Sequence, residues 1–141
     1  MFLFDTNVVS ELRRPDRASP LVLAWAASRD PGSLFVSAVT IYELEKGAQR
    51  IRRRDAAQAQ VIDRWIRSEV LPSFAGRILP FDIDVAFRCA ALHVPDPRPE
   101  RDAMIAATAL EHGLTLVTRN VRDFQATGAR LLNPWESGDA Q

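Results

Sequence analysis

The sequence predicts an α/β domain with a mostly parallel central sheet and helices on both faces. Three observations lead to this class. Five short apolar runs have the composition of strands, segments with helical spacing of apolar residues separate them, and 141 residues is the length of one domain. Strands that alternate with helices are typical of parallel sheets, whose right-handed crossovers place helices on both faces. We expect a single domain over residues 1–141.

The first half of the chain predicts two strands followed by two helices. Phe2–Phe4 and Leu34–Ser37 are apolar runs that end in polar residues, as short buried strands do. A helical pattern begins at residue 39 and continues over 39–53. A second pattern covers residues 61–70, where apolar side chains recur at i to i+4 spacing.

The second half of the chain continues the alternation. Its predicted strands are Arg77–Phe81, Leu114–Thr118 and Arg130–Leu132. Helical patterns cover residues 85–94 and 103–112, and Gly113 ends the second of them, as glycine commonly does after a helix. Residues 95–101 contain three prolines and are predicted to form a loop, because proline cannot continue a helix. A short turn ends at Phe124.

The charge balance limits the classes of partner. Lys and Arg together number 18, and Asp and Glu also number 18, so the net charge is zero. This balance excludes a broadly basic surface for nonspecific nucleic-acid binding but not a local basic groove. The single cysteine, Cys89, forms no intramolecular disulfide, and the uncharged run over residues 31–42 is too short to span a bilayer. We therefore expect a cytoplasmic protein without a signal peptide or membrane segment.

Acidic side chains follow the predicted strands. Asp5 comes directly after the first strand, Glu43 lies in the helix after the second, Asp102 begins the helix over 103–112, and Asp123 follows the fourth strand. The carboxyl ends of parallel strands share one edge of a sheet, so these carboxylates are expected to gather and to repel each other unless a cation lies among them. Oxygen ligands of this kind select Mg²⁺ or Mn²⁺, which promote phosphodiester hydrolysis.

Each acid alone also has a purely structural interpretation. Asp5 and Asp102 can cap helices, Glu43 can form a capping box with Thr40, and Asp123 can close a turn. The two interpretations predict opposite stability changes in metal-free buffer. Relief of repulsion predicts that Asp5→Asn raises the free energy of unfolding, whereas loss of a cap predicts that it lowers it.

Six segments carry a family resemblance that extends along the chain. They are Leu3–Glu11, Val36–Leu44, Gly76–Asp82, Arg101–Ala109, Leu116–Asn120 with Asp123–Phe124, and Asn133–Trp135. In this order they resemble the PIN-domain family, and specifically the VapC toxins of bacterial type II toxin–antitoxin pairs, including the FitB-like branch. Any one segment is weak, but the ordered set is highly specific.

The resemblance implies a Mg²⁺-dependent endoribonuclease in which Mn²⁺ can replace Mg²⁺. It further implies neutralisation by a VapB-type antitoxin, contact with DNA only through that antitoxin, and a homodimer. The helical hairpin over residues 39–70 is the candidate dimer surface. A PIN-fold module that binds RNA or protein but has lost catalysis is the alternative, and only Asn120 favours it.

The resemblance assigns roles to the acidic residues. Asp5, Glu43 and Asp102 match the three core acids of the family. Asp5 and Asp102 correspond to the metal ligands, and Glu43 to the residue that orients or deprotonates the attacking water. Some members carry Asp where this chain has Asn120, and others carry Asn there with an Asp three residues later, as Asp123 is here. The fourth acidic position therefore stays open between these two.

Four further residues are candidates around the acids. Asn7 and Thr118 correspond to polar groups that hold the carboxylates in place. Arg98 and Arg101 are candidates for binding RNA phosphates, because their predicted loop leads directly to Asp102.

Overall fold

The computed structural model describes residues 1–136 and contains one parallel sheet. Its strands are β1 (Phe2–Phe4), β2 (Leu34–Ser37), β3 (Ile78–Leu79), β4 (Thr115–Val117) and β5 (Leu131–Leu132). They lie in the order β3-β2-β1-β4-β5, and every strand pair in the described residues is parallel. The predicted α/β class is confirmed, and residues 137–141 of the predicted domain lie outside the described residues.

Helices follow or connect the strands. They are α1 (Thr6–Leu12), α2 (Pro20–Ala27), α3 (Ala38–Arg52), α4 (Ala56–Trp65), α5 (Leu71–Ser73), α6 (Ile83–Ala91), α7 (Glu100–His112) and α8 (Val121–Phe124). A π-helical turn, Ile66–Val70, joins α4 to α5, and single 3₁₀ turns lie at Pro31–Ser33 and Gln125–Thr127.

Adjacent residues of the central strand serve two different cores. Phe4 belongs to a cluster with Ile66 and Val70 on one face of the sheet. Leu3 belongs to a cluster with Ile105 on the opposite face. This alternation is what the two-residue period of a strand requires when helices cover both faces.

The strand register sets the position of the polar residues that follow. Phe4 pairs with Val36 of β2 and with Val117 of β4, so the three central strands end at the same level. Asp5 and Thr118, the next residues of β1 and β4, therefore emerge side by side. Helix α3 begins one residue after β2 and starts from the same edge.

Two helices between β1 and β2 have no counterpart in the sequence prediction. Helix α1 has only seven residues and begins directly after β1, so it contains too few turns to show a period. Helix α2 is apolar on almost every side, so it lacks the alternation of polar and apolar faces from which a helix is predicted.

Helix α7 begins earlier than the sequence predicts. Its first residue is Glu100 and its N-cap is Pro99, so Arg101 lies in the first helical turn and not in the loop. Gly113 ends this helix as predicted, with φ at 65° in the left-handed region that favours glycine. The earlier start fixes the direction in which Arg101 leaves the backbone.

Over residues 1–136, none of the helices combines the length and the apolar character needed to cross a membrane.

Candidate active site

Asp5 is a fully buried carboxylate at the end of β1. Its Oδ1 accepts a hydrogen bond from the backbone N–H of Thr6 at 2.7 Å and so caps α1. Its Oδ2 accepts a hydrogen bond from the Thr118 hydroxyl at 2.8 Å, and Thr118 Oγ1 accepts from the backbone N–H of Asn120 at 3.0 Å. Asp5 therefore caps α1 and is also held by the Thr118 hydroxyl.

Glu43 approaches Asp5 from α3. Its Oε1 accepts a hydrogen bond from the Thr6 hydroxyl at 2.5 Å. The Thr40 hydroxyl lies 3.1 Å from that of Thr6 and must donate to it, because the single hydroxyl proton of Thr6 goes to the carboxylate. Helix α3 is capped by Ser37, whose Oγ accepts from Val39 N–H at 2.9 Å. The capping box of Thr40 and Glu43 is therefore wrong, since Thr40 lies inside the helix.

Arg101 brings the three predicted core acids together. Its Nε donates to Glu43 Oε2 at 2.7 Å, its Nη1 donates to Asp102 Oδ1 at 3.0 Å, and its Nη2 donates to Asp5 Oδ1. One guanidinium thus contacts a carboxylate from each of three elements: the end of β1, helix α3 and helix α7. A cation is expected among clustered carboxylates, and in this structure the chain itself supplies it.

The cluster is largely shielded from water. Asp5 is inaccessible, and the side chains of Asp102, Glu43 and Arg101 keep 15%, 19% and 30% of their surface exposed. Burial alone would lower the pKa of Arg101, but its hydrogen bond to Glu43 and the attraction of Asp5 outweigh burial and raise that pKa above its ordinary value. Arg101 therefore stays charged and balances one of the three negative charges around it.

An open cavity of about 490 Å³ adjoins the cluster. Its walls come from α1, α3, the first turn of α7 and the segments after β4 and β5. The lining residues are Thr6, Asn7, Ser10, Glu11, Glu43, Arg101, Arg119, Asn120 and Trp135. The Arg119 guanidinium lies 5.1 Å from the centre of the Trp135 ring. Trp135 also packs against the core, so one side chain contributes to both the core and the cavity wall.

The other predicted residues differ in their relation to this cavity. Asn7 lies on its wall and accepts a long hydrogen bond, 3.5 Å, from the backbone N–H of Arg119. Asn120 also lines the cavity. Asp123 is exposed on α8 and is not among the cavity-lining residues of the part of the chain that the structure describes. Arg98 donates from Nε to the Leu92 carbonyl at 2.7 Å, which ties it to the connection between α6 and α7.

Sequence reasoning missed the supporting role of Thr6 and the positions of Arg119 and Trp135 on the cavity wall. Thr6 follows Asp5 directly, and its hydroxyl is the group that joins the β1 edge to Glu43. The signal was available, because residues that follow a parallel strand lie at the carboxyl edge whether or not they are charged.

The donor set suits a hard divalent ion, although the guanidinium lies between the donors. Three carboxylates contact one guanidinium, each at a different nitrogen atom, and carboxylate oxygens are preferred ligands of Mg²⁺ and Mn²⁺. No three His, Cys, Asp or Glu side chains within residues 1–136 are arranged as ligands of one ion. The carboxylates are therefore suitable ligands for the ion by their chemistry. They can surround an ion only after the Arg101 guanidinium moves out from between them.

Comparison with known proteins places this site in a family. The PIN domain model matches residues 2–129. The VapC ribonuclease Y4jK of Sinorhizobium fredii is 39% identical over 96% of this chain and 99% of its own length. The toxin FitB of Neisseria gonorrhoeae is 37% identical over the same 96% of this chain and 99% of its own length.

Solved structures agree with the sequence relatives. The crystal structure of FitAcB from Neisseria gonorrhoeae matches with a TM-score of 0.88 and 36% identity, over 97% of this chain and 100% of that chain. A toxin–antitoxin complex from Klebsiella pneumoniae matches with a TM-score of 0.70 and 28% identity, over 97% of this chain and 100% of that chain. The resemblance seen in the sequence is confirmed, and the chain belongs to the PIN-domain family, among the relatives of VapC and FitB.

Proposed function

We infer that this chain is the toxin of a toxin–antitoxin pair and acts as an endoribonuclease. The observation that carries the inference is the convergence of Asp5, Glu43 and Asp102 on one point beside an open cavity. Carboxylates in this arrangement are suited to hold a divalent ion that activates water for phosphodiester hydrolysis. The relatives named as ribonuclease and toxin match this chain over nearly its whole length, which supports the same activity here.

The proposed chemistry depends on a divalent ion held by Asp5 and Asp102. A bound Mg²⁺ or Mn²⁺ would neutralise phosphate charge and increase the acidity of water. Glu43 would accept the proton of the attacking water, because its carboxylate faces the cavity and Thr6 fixes one of its oxygens. Thr118 keeps Asp5 oriented through its hydroxyl.

Two further roles are proposed, one at the fourth acidic position and one in binding RNA. Asn120 lines the cavity and Asp123 does not, so we assign the fourth position to the neutral Asn120. Arg119 and Trp135 form a cationic and aromatic wall on which a phosphate and an unpaired base can bind. This wall supplies one cation beside an aromatic ring in a chain of zero net charge.

Removal of the metal is expected to abolish RNA cleavage. The purified chain should cleave single-stranded RNA with Mg²⁺ or Mn²⁺, lose this activity in EDTA and regain it when Mg²⁺ is added in excess. Gel analysis of a labelled RNA measures the effect, and an Asp5→Asn preparation purified in the same way detects contaminating ribonuclease. Undiminished cleavage in EDTA by a wild-type sample whose Asp5→Asn counterpart is inactive would contradict the proposed metal role.

A PIN-fold module without catalysis is the second candidate. Two observations favour it: Asn120 stands where some family members carry Asp, and Arg101 fills the space between the acids. Such a module would bind RNA or a protein and would not cleave RNA in the presence of either Mg²⁺ or Mn²⁺. A gel-shift measurement run beside the cleavage assay separates the two candidates.

We propose that a VapB-type antitoxin neutralises this chain in the cytoplasm. The similarity to a toxin in a solved toxin–antitoxin complex supports a partner of this kind. DNA contact is assigned to the antitoxin, because a chain with 18 cations and 18 anions lacks the excess of positive charge that phosphate binding requires.

A homodimer is expected, and the distribution of exposed apolar side chains favours α6 as its surface. Ile83 and Phe87 on α6 are 73% and 74% exposed, whereas Tyr42 and Val61 on the hairpin over residues 39–70 are 61% and 51% exposed. Light scattering should give the mass of two chains for the wild type and for Val61→Glu, and of one chain for Phe87→Glu. If Val61→Glu is a monomer and Phe87→Glu is a dimer, the interface lies on the hairpin over residues 39–70 and not on α6.

A further inference from the structure

Arg101 occupies the point at which the three core carboxylates converge. Each of its nitrogen atoms, Nε, Nη1 and Nη2, donates to a different carboxylate. It is the cation of this chain that contacts all three acids, and it comes from the residue directly before Asp102. The proposed metal function does not explain a guanidinium at this position.

A divalent ion and this guanidinium need the same oxygens. Two positive groups cannot share Asp5 Oδ1 and Asp102 Oδ1 at bonding distance, because like charges a few ångströms apart in a shielded site repel strongly. Metal binding to Asp5 and Asp102 therefore requires Arg101 to leave.

The surroundings allow that departure. Arg101 is the most exposed member of the cluster and lines the open cavity of about 490 Å³. Its backbone lies in the first turn of α7, next to the proline-containing loop, so the long side chain can swing toward the cavity without moving the body of the helix. A guanidinium in the cavity stands next to the surface that is proposed to bind RNA phosphates.

We propose that Arg101 is a displaceable internal counter-ion: it holds Asp5, Glu43 and Asp102 together in the metal-free chain and competes with the divalent ion for them. This inference rests on the proposed metal-dependent function and adds a regulation to it. The metal affinity of the free chain is set by the difference between ion binding and guanidinium binding. Arg101 is thereby a positioning residue in the metal-free state.

Calorimetric titration of Mn²⁺ into the purified full chain tests this competition. Arg101→Gln should bind Mn²⁺ at least about tenfold more tightly than the wild type, because the ion no longer displaces a cation that makes three charge-assisted hydrogen bonds. Arg101→Lys should be intermediate, since an ammonium keeps the charge but not the fork geometry. Arg98→Gln is the matched control: it removes one positive charge from the same segment, and its affinity should equal that of the wild type.

Thermal melts give a second measurement that does not depend on activity. Each protein is melted in EDTA and in Mn²⁺, and the rise in Tm between the two conditions is compared. The rise should be larger for Arg101→Gln than for the wild type or Arg98→Gln, because stabilisation by a ligand grows with its affinity.

A third measurement follows Arg101 itself in the wild type during metal titration. The Arg101 Nε–H signal in NMR, assigned by its loss in Arg101→Lys or Arg101→Gln, should shift as Mg²⁺ is added, because its hydrogen bond to Glu43 breaks. An Nε–H signal that stays unchanged while Mg²⁺ binds would overturn the proposal.

The outcomes separate this inference from the function on which it rests. Equal Mn²⁺ affinity in wild type and Arg101→Gln, or weaker binding by Arg101→Gln, overturns the counter-ion role and leaves the metal site standing. Absence of Mn²⁺ binding in the wild type and in all three variants overturns both the counter-ion role and the proposed metal-dependent function.

Discussion

Asp5→Asn should lower the rate of RNA cleavage by at least about a hundredfold, since loss of a charged ligand to a catalytic cation removes several kcal/mol of transition-state stabilisation. Asp5 is the buried member of the cluster, and its carboxylate is fixed from three directions by the backbone of Thr6, the hydroxyl of Thr118 and the guanidinium of Arg101. Cleavage of a labelled RNA under single-turnover conditions measures the rate.

The same variant should also lower stability in metal-free buffer. An amide has one acceptor oxygen where the carboxylate has two, and its NH₂ group would face a donor from Thr6, Thr118 or Arg101. Loss of a charge-assisted hydrogen bond and the burial of a mismatched donor together cost about 2–3 kcal/mol of the free energy of unfolding. We therefore expect a fall in Tm of about 5–10 °C in EDTA.

The sign of this stability change separates two physical pictures. Repulsion among the acids alone predicts that Asp5→Asn stabilises the metal-free chain, but Arg101 already neutralises part of that repulsion. Asp30→Asn is the matched control, because Asp30 caps the 3₁₀ turn before β2, at the opposite edge of the sheet. Asparagine caps about as well as aspartate, so this variant should keep the stability of the wild type and its full cleavage. A higher Tm for Asp5→Asn would contradict the bonding pattern around Arg101.

The sequence predicts where the carboxylates gather, because strand ends and acids are local features. Asp5 directly follows a three-residue strand, and the parallel register then places it beside Thr118 without further assumptions. Glu43 lies five residues into α3, so its approach to Asp5 depends on how α3 packs. The resemblance to a known family supplied that step, whereas the spacing of the residues left the capping box open.

The part that the sequence could not supply is the direction of Arg101. Three prolines between residues 95 and 99 predict a loop, and a loop residue has no fixed side-chain direction. The helix in fact begins at Glu100, after Pro99, where the lack of a backbone N–H costs nothing. One turn of helix then aims Arg101 across the sheet edge to Asp5 and Glu43, which are 96 and 58 residues away in the chain.

Glu43→Gln should reduce the rate of RNA cleavage by about 10²–10⁴-fold, the range that a positioned proton acceptor contributes. Glutamine keeps the length of the side chain and can still accept a hydrogen bond from Thr6 through its one oxygen, so the fold around α3 should survive. Glutamine cannot accept the proton of the attacking water. Glu45→Gln on the same helix is the control, because Glu45 pairs with Gln49 outside the cluster, and it should cleave RNA at the wild-type rate.

Metal binding decides whether Glu43 acts on the proton or on the ion. If Asp5 and Asp102 hold the ion, Glu43→Gln should bind Mn²⁺ at least as tightly as the wild type in calorimetry while activity is lost. The Mn²⁺ affinity should rise, because the variant weakens the 2.7 Å hydrogen bond between Arg101 Nε and residue 43. Arg101 then binds the carboxylates less tightly and competes less with the ion. Parallel loss of Mn²⁺ binding and cleavage would instead make Glu43 a ligand. The proton from water would then need another acceptor, and the free lone pairs of Asp102, 15% exposed beside the cluster, would be the next to test.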